Sequence, residues 1–384
     1  MTALRYAVRA LTLSLSLTGV GAFCAIGAVP PVHAAGSAPV GGPQLARAGV
    51  IVNLGPGVPA PPTMQGASFL VADMDTGQIL AARAPHTRRL PASTLKALTA
   101  LTLIPRLDAN AKVVVQPEDV RVEGSRTGIL AGTAYTVQSL FRGLLMASGN
   151  DAAYALARAN HSVAVTLGQM NATAAGLGAF DTVAKDPSGL DKPGQTSSAY
   201  DLALIGRAAM ELPAFRSYVG TKQASFPGGR SSAGKMLPGF KINSHHRLLY
   251  NYDGAIGIKN GYTIAAKQTF IGAATRGGKT YIVTEMGSPN GSWRPTAALL
   301  DWAFAHGASL TPIGELVEPG TATGPRGSSA SGELASAAGG PSRLRTAGSE
   351  GLPVLQPWVG VAGLLSAVAL VGAFAVRGIS RRRS

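Results

Sequence analysis

The order of elements along this chain predicts an α+β fold, an antiparallel sheet flanked by helices. Three observations carry that reading. A β-hairpin opens the globular body, helical periodicity fills its middle, and a second hairpin and a helix close it. The first and last strands must then come together in one sheet.

The opening hairpin runs from Ala67 to Met74, turns over Asp75-Thr76-Gly77 and returns from Gln78 to Arg83. A loop with Pro91 follows and breaks into a helix. Pro91 presets φ just ahead of the first turn. Ser93-Thr94-Leu95-Lys96 then leads an apolar run, Ala97 to Leu103, that can bury on most sides. The stretch from Tyr135 to Met146 has helical periodicity, with Thr136 as its N-cap. It stops at Ala147-Ser148-Gly149-Asn150-Asp151, and a further helix starts at once with Ala152. Ser148 and Asn150 therefore lie at a sharp helix–helix junction. Residues 186–202 read as a turn-rich loop running into a helix. Ala255 to Thr263 reads as an edge strand, and period two puts Lys259 and Gly261 on one face and Asn260 on the other. The glycine lets another backbone or a ligand come close. Lys267 to Ala274 and Lys279 to Glu285 pair across Arg276-Gly277-Gly278, and a helix from Pro295 to His306 ends the domain.

The 384 residues carry a formal charge of +15, yet only 14% are charged and 46% are hydrophobic. A nucleic-acid binder would cluster Lys and Arg with aromatics, and no such cluster stands outside the C-terminal tip. No nucleic-acid partner is expected; a basic protein beside an anionic envelope or wall polymer fits better. Cys24 is the only cysteine, so the body has no disulfide, no thiol nucleophile and no Cys-based metal site. The adjacent His245 and His246 face opposite ways on an extended segment and have no third ligand in evidence. No metal and no cofactor is expected.

The two ends differ from the body. Arg5 and Arg9 precede an apolar run to about Val29, and Val32-His33-Ala34 offers a small-x-small cleavage site. Residues 1–34 read as a secretory signal peptide, which takes Cys24 with it. Residues 35–62 are rich in Gly, Pro and Ala and read as a linker, 63–316 as the globular domain, and 317–356 as a second, Gly/Ala/Ser/Pro-rich linker. Residues 357–376 carry no charge and are long enough to span a bilayer. Arg377, Arg381, Arg382 and Arg383 follow, so the tip 377–384 is expected in the cytoplasm and the body outside the membrane.

Chemistry enters at Ser93. It lies three residues from Lys96, so on a helix the two share a face. A serine hydroxyl needs a base to take its proton, and a lysine serves when burial or a nearby cation lowers its pKa. The helix N-terminus adds free N–H groups and a positive field. One such pair alone is a weak signal, because a capping serine and a solvated lysine share the spacing. Three elements in chain order are stronger: Ser93-x-x-Lys96, Ser148-Gly149-Asn150 and Lys259-Asn260-Gly261. They resemble the S-x-x-K, S-x-N and K-T-G signatures of the penicillin-recognising serine enzymes. Within that group the chain is most similar to the serine-type D-alanyl-D-alanine carboxypeptidases, the low-molecular-mass penicillin-binding proteins. Pro91, the Pro187-Ser188-Gly189-Leu190-Asp191 loop, Ser198-Ala199-Tyr200-Asp201-Leu202 and Arg247-Leu248-Leu249 extend the likeness over about Ser68 to Gly307.

The resemblance implies a β-lactamase/transpeptidase-like fold with an all-helical subdomain. It also implies roles. Ser93 would attack the carbonyl of the penultimate D-Ala, with Lys96 as its base. Ser148 and Lys259 would pass a proton to the leaving D-Ala, and Asn150 would orient Lys96 and the substrate amide. The N–H groups of Ser93 and Tyr262 would form the oxyanion hole. Lys259, Gly261, Tyr262, Thr263 and Arg294 would bind substrate, with Lys259 or Arg294 meeting its terminal carboxylate. Asn260 departs from the usual Thr or Ser and leaves Thr263 to supply a hydroxyl. The implied protein is a membrane-anchored enzyme that trims peptidoglycan stem peptides ending in D-Ala-D-Ala through an acyl-enzyme, and that β-lactams acylate. Two alternatives stay open. One is a serine β-lactamase, although no glutamate falls between Gly124 and Met210, where a class A enzyme would place its deacylating base. The other is a non-catalytic wall-binding protein on the same fold.

Overall fold

The computed structural model describes residues 38–323, apart from 290 and 292. The expected signal peptide, apolar span and basic tip lie outside the described residues. Among the described residues, no helix is long and apolar enough to cross a membrane.

The framework is a seven-stranded antiparallel sheet. Its strands run in the order Val50–Val52, Gln78–Arg83, Ser68–Asp73, Lys279–Ser288, Lys267–Arg276 and Ala255–Thr263, with Gly314–Glu315 also paired to Gln78–Arg83. The first and last hairpins meet as expected, with Leu70 opposite Thr284 and Ala72 opposite Ile282. Helices cover both faces, so the inner strand Ser68–Asp73 is buried along its whole length. One face presents Leu70, Ala72, Ile271 and Ile282 to a cluster shared with the helices Lys96–Leu103 and Ala199–Met210. The other presents Phe69, Val71, Phe270 and Val283 to Leu299, Leu300 and Ala303 of the helix Arg294–His306.

The expected helical subdomain is present, built around Val137–Leu145, Asn150–Ala159 and Val163–Gly176. Its termini follow the local chemistry of the sequence. Thr136 accepts from the Ser139 N–H, Ser162 from Val165, and Ser198 from Asp201 at the start of Ala199–Met210. Each such cap is worth about 1 kcal/mol over alanine.

Part of the segment read as a linker is folded. Val50–Val52 forms the sheet edge, and Leu45 and Ile51 are buried. The Gly/Pro-rich surroundings hide a three-residue β-branched run that gains its partner only from Gln78–Arg83. The second linker also begins later than its composition suggests. The Val317 N–H donates to the Tyr200 hydroxyl, and Glu318 pairs with Arg207 at 2.8 Å. The Glu315 N–H donates to the Gly41 carbonyl, so the two ends of the described chain lie side by side.

Two buried carboxyls give this fold a pH signature. Burial pushes Asp201 up to about 7; Asp181 reinforces the rise, and Thr182, His86 and Ser198 oppose it. Burial likewise pushes Glu285 up to about 7, against Ser288, Gly66 and Arg83. The unfolded chain releases both protons near pH 4. Between about pH 4 and 7 the native state holds protons that the unfolded state has lost, so these groups make stability fall as pH rises. Glu285→Gln should flatten that decline in the melting temperature. An unchanged slope would contradict the assignment.

Candidate active site

Pro91 leads into a 3-10 turn, Ala92–Leu95, which the helix Lys96–Leu103 continues. The turn is held tightly. The hydroxyls of Thr94 and Thr269 both donate to the Pro91 carbonyl, at 2.5 and 2.7 Å. Ala92 sits at φ 47°, a left-handed conformation that costs an alanine about 1 kcal/mol. The 187–190 loop crosses directly above it, since any side chain at Gly189 would collide with the Ala92 carbonyl.

Lys96 is fully buried behind this turn. Its Nζ lies 2.8 Å from Ser93 Oγ, 2.7 Å from Asn150 Oδ1 and 2.6 Å from the Ser188 carbonyl oxygen. The chemistry of those partners orients the amine. A carbonyl oxygen can only accept, and so can the Asn150 amide oxygen. The amide's orientation is fixed because Nδ2 donates to the Glu123 carbonyl at 2.6 Å. A neutral Lys96 therefore spends two N–H bonds on Asn150 and Ser188, and its lone pair is left facing the Ser93 hydroxyl. Burial, chiefly, holds the Lys96 pKa well below the ordinary lysine value; Lys259 lowers it further, while Asp186 and Asp151 oppose.

Both acceptors are themselves fixed. Asn150 opens the helix Asn150–Ala159, and its neighbour Asp151 takes the N–H groups of Thr127, Gly128 and Ile129. That draws residues 123–129 against the junction. Ser188 donates both its N–H and its hydroxyl to Asp186, which also accepts from the Tyr154 hydroxyl at 2.6 Å. The Thr99 hydroxyl holds the adjacent Pro187 carbonyl at 2.7 Å. Ser148, buried at the junction, has φ 58°, strain of the kind stored at functional sites.

The edge strand Ala255–Thr263 closes the other side. A Cβ at Gly261 would lie 2.6 Å from the Ser93 nitrogen and 2.9 Å from that of Thr94. Glycine thus lets the strand rest on the backbone of the turn. Lys259 is buried beside it, and burial pushes its pKa down to about 7. Its Nζ lies 2.7 Å from the Asn260 carbonyl oxygen and 3.4 Å from Asn260 Oδ1. The lysine amine thus reaches Asn260, although alternation along the strand sets the two side chains on opposite faces. The long lysine stem folds back along the strand, which a reading of alternating faces does not allow for.

Tyr262 is exposed. The Thr263 hydroxyl donates to Asp191 Oδ1 at 3.1 Å and accepts from the Ala266 N–H at 2.9 Å. Arg294 is exposed at the start of its helix, its guanidinium 5.2 Å from the Trp293 ring centroid. It lines a cavity of about 350 Å³ with Met64, Ser288 and Pro295. Ser288 pairs with Gln268, and Gln268 with Tyr262, so Arg294 stands two strands from the lysine strand. The structure brings Ser93, Lys96 and Asn150 into direct contact and sets Gly261 against the same turn. Ser148 stands at the junction with Asn150. Thr263 and Arg294 stand outside that contact set. Sequence reasoning missed the Ser188 and Glu123 carbonyls and the Asp186 carboxylate. The Pro187-Ser188-Gly189 phrase was visible, but a backbone acceptor leaves no residue-type signal.

Comparison with known proteins places this geometry. The family described as D-alanyl-D-alanine carboxypeptidase matches residues 57–290. The D-alanyl-D-alanine carboxypeptidase DacB2 of Mycobacterium tuberculosis is 44% identical over 246 residues, covering 62% of this chain and 82% of that protein. The crystal structure of a D-alanyl-D-alanine carboxypeptidase from Mycobacterium tuberculosis superposes with a TM-score of 0.63 at 41% identity, over 68% of this chain and 99% of that one. A Streptomyces DD-transpeptidase structure gives a TM-score of 0.60 at 32% identity, over 64% of this chain and 100% of that one.

The contact at Gly261 yields a direct test. Gly261→Ala must push a methyl against the Ser93 and Thr94 nitrogens, which should destabilise the domain by about 1–3 kcal/mol in denaturant unfolding. Wild-type stability in this variant would show that the strand does not rest on the turn.

Proposed function

The chain belongs to the serine-type D-alanyl-D-alanine carboxypeptidase family and is a hydrolase of the peptidase class, and from that premise we propose that it removes the terminal D-alanine from peptidoglycan stem peptides through an acyl-enzyme. The observation that carries the proposal is the Lys96 amine, buried and aimed at Ser93 Oγ by two acceptor-only partners. In this reading Lys96 takes the Ser93 proton as Oγ attacks the penultimate D-Ala carbonyl. The Ser93 and Tyr262 N–H groups meet the oxyanion. Ser148 and Lys259 carry a proton to the departing D-Ala nitrogen, and water then hydrolyses the ester.

Lys259 suits a proton relay because its pKa, lowered by burial to about 7, lets it exchange a proton near neutrality. Its charge and that of Arg294 are proposed to attract the terminal carboxylate, with Gly261, Tyr262 and Thr263 lining the approach. Asn150 both orients Lys96 and offers its amide to the substrate. Penicillin would acylate the same serine. The signal peptide and the apolar span 357–376 would export the domain and hold it outside the membrane, with the arginine tip in the cytoplasm.

The deciding experiment is product analysis on a peptide ending in D-Ala-D-Ala, with and without penicillin, alongside labelled-penicillin binding. The wild type should release one D-alanine, lose that activity to penicillin and retain the label. Ser93→Ala should retain no label and release D-alanine with kcat reduced by at least about 10³-fold. Persistent label on Ser93→Ala would remove the serine from its role. Rapid turnover of penicillin would favour a β-lactamase, and no release of D-alanine a wall-binding protein.

A further inference from the structure

We infer that the hairpin over residues 229–241 is a docking surface for an anionic bilayer, its apolar tip entering the headgroup layer and its cations meeting lipid phosphates. The inference stands on a part of the molecule that the catalytic reading does not use. The strands Gly229–Arg230 and Met236–Leu237 pair at its tip, and Gln223–Phe226 pairs with Phe240–Asn243 at its base. Every residue from 232 to 241 is exposed. Among them Met236 is 63% exposed and Phe240 41%, with Leu237 between them. Soluble domains seldom present apolar side chains together on a projecting hairpin unless something covers them.

Charge says what covers them. No Asp or Glu occurs between Glu211 and Asp253, while Arg216, Lys222, Arg230, Lys235, Lys241 and Arg247 all fall in that interval. Among the described residues neither Arg230, Lys235 nor Lys241, the cations carried by the hairpin itself, forms an ion pair. Elsewhere Arg88, Arg158, Arg207 and Arg276 are each matched to a carboxylate. A second copy of this surface would set like charges against each other. A water-soluble polyanion would neutralise the cations but leave Met236 and Leu237 in water. An anionic bilayer satisfies both, since apolar insertion and attraction to lipid phosphates act together at one interface.

The hairpin is also presented rigidly. Phe226 is buried at its base, 5.6 Å from the Tyr135 ring and 5.4 Å from that of Phe240. Arg230 Nη1 donates to the Gly234 carbonyl, which fixes the tip. The Phe240 ring lies beside Gly128, whose N–H is held by Asp151 next to Asn150. Docking therefore brings the Ser148–Asn150 wall of the site close to the membrane surface. This does not depend on the proposed C-terminal anchor or on the reaction.

The test uses the full chain with Cys24→Ser and Leu237→Cys, labelled with an environment-sensitive fluorophore. Vesicles of phosphatidylcholine alone, or mixed with phosphatidylglycerol, are added with and without a lipid-borne nitroxide. The label reports local contact even if another segment holds the protein on the vesicle. Emission should shift to shorter wavelength and be quenched on the anionic vesicles. Both effects should fade on phosphatidylcholine, in high salt, and in the Lys235→Gln, Lys241→Gln double variant. That variant should keep its melting temperature and penicillin labelling, which separates this surface from the catalytic site. No shift on anionic vesicles overturns the inference, as does an equal shift on both lipids. The same shift with soluble polyglutamate reassigns the surface to a polyanion.

Discussion

The rest of the structure is arranged around a single buried amine. Lys96 has no solvent to share its charge, and its three neighbours are all oxygens. Two of them can only accept, so the third direction is decided by elimination. An ammonium in that place would be costly to bury without a carboxylate in contact. The neutral amine fits the same geometry, with its lone pair on the Ser93 hydroxyl. The burial that lowers the lysine pKa also suits the amine to the role of base proposed for it.

Satisfying this one group takes four separate parts of the chain. The sheet contributes the Ala255–Thr263 strand, with Gly261 against the turn and Lys259 adding a second buried amine. The helical subdomain contributes Asn150, at a junction braced by Asp151. The 186–189 loop contributes the Ser188 carbonyl, braced by Asp186 and Tyr154. The turn after Pro91 contributes the serine. None of these parts is close in sequence to another, so the site exists only once sheet and subdomain have packed together. The strained backbone at Ala92 and Ser148 shows where that packing overrides local preference.

Much of this arrangement can be read from residue types. The Ser93/Lys96 spacing implies contact on a helical turn, and the contact is there. Thr136 and Ser198 announce helix starts because a side-chain oxygen ahead of an apolar period has one obvious use. The two hairpins follow from turn residues between apolar runs. What cannot be read is of three kinds. Backbone acceptors such as Ser188 and Glu123 have no signature, since every residue carries a carbonyl. Flexible side chains also escape periodicity: Lys259 folds along its strand to reach Asn260, and Thr263 turns to Asp191. The Val50–Val52 strand was hidden for a third reason, that an edge strand needs only three residues when a longer neighbour supplies the pairing.

Catalysis as proposed requires Lys96 to be a neutral amine while Ser93 is free. The most direct measurement is an NMR titration of the Lys96 side chain, with nitrogen-15 or carbon-13 at the amine, in the unacylated protein. Lys96 should titrate far below the ordinary lysine value of about 10.4, with the amine uncharged at neutral pH. A Lys96 that titrates near the ordinary value, or stays an ammonium at neutral pH, would contradict it.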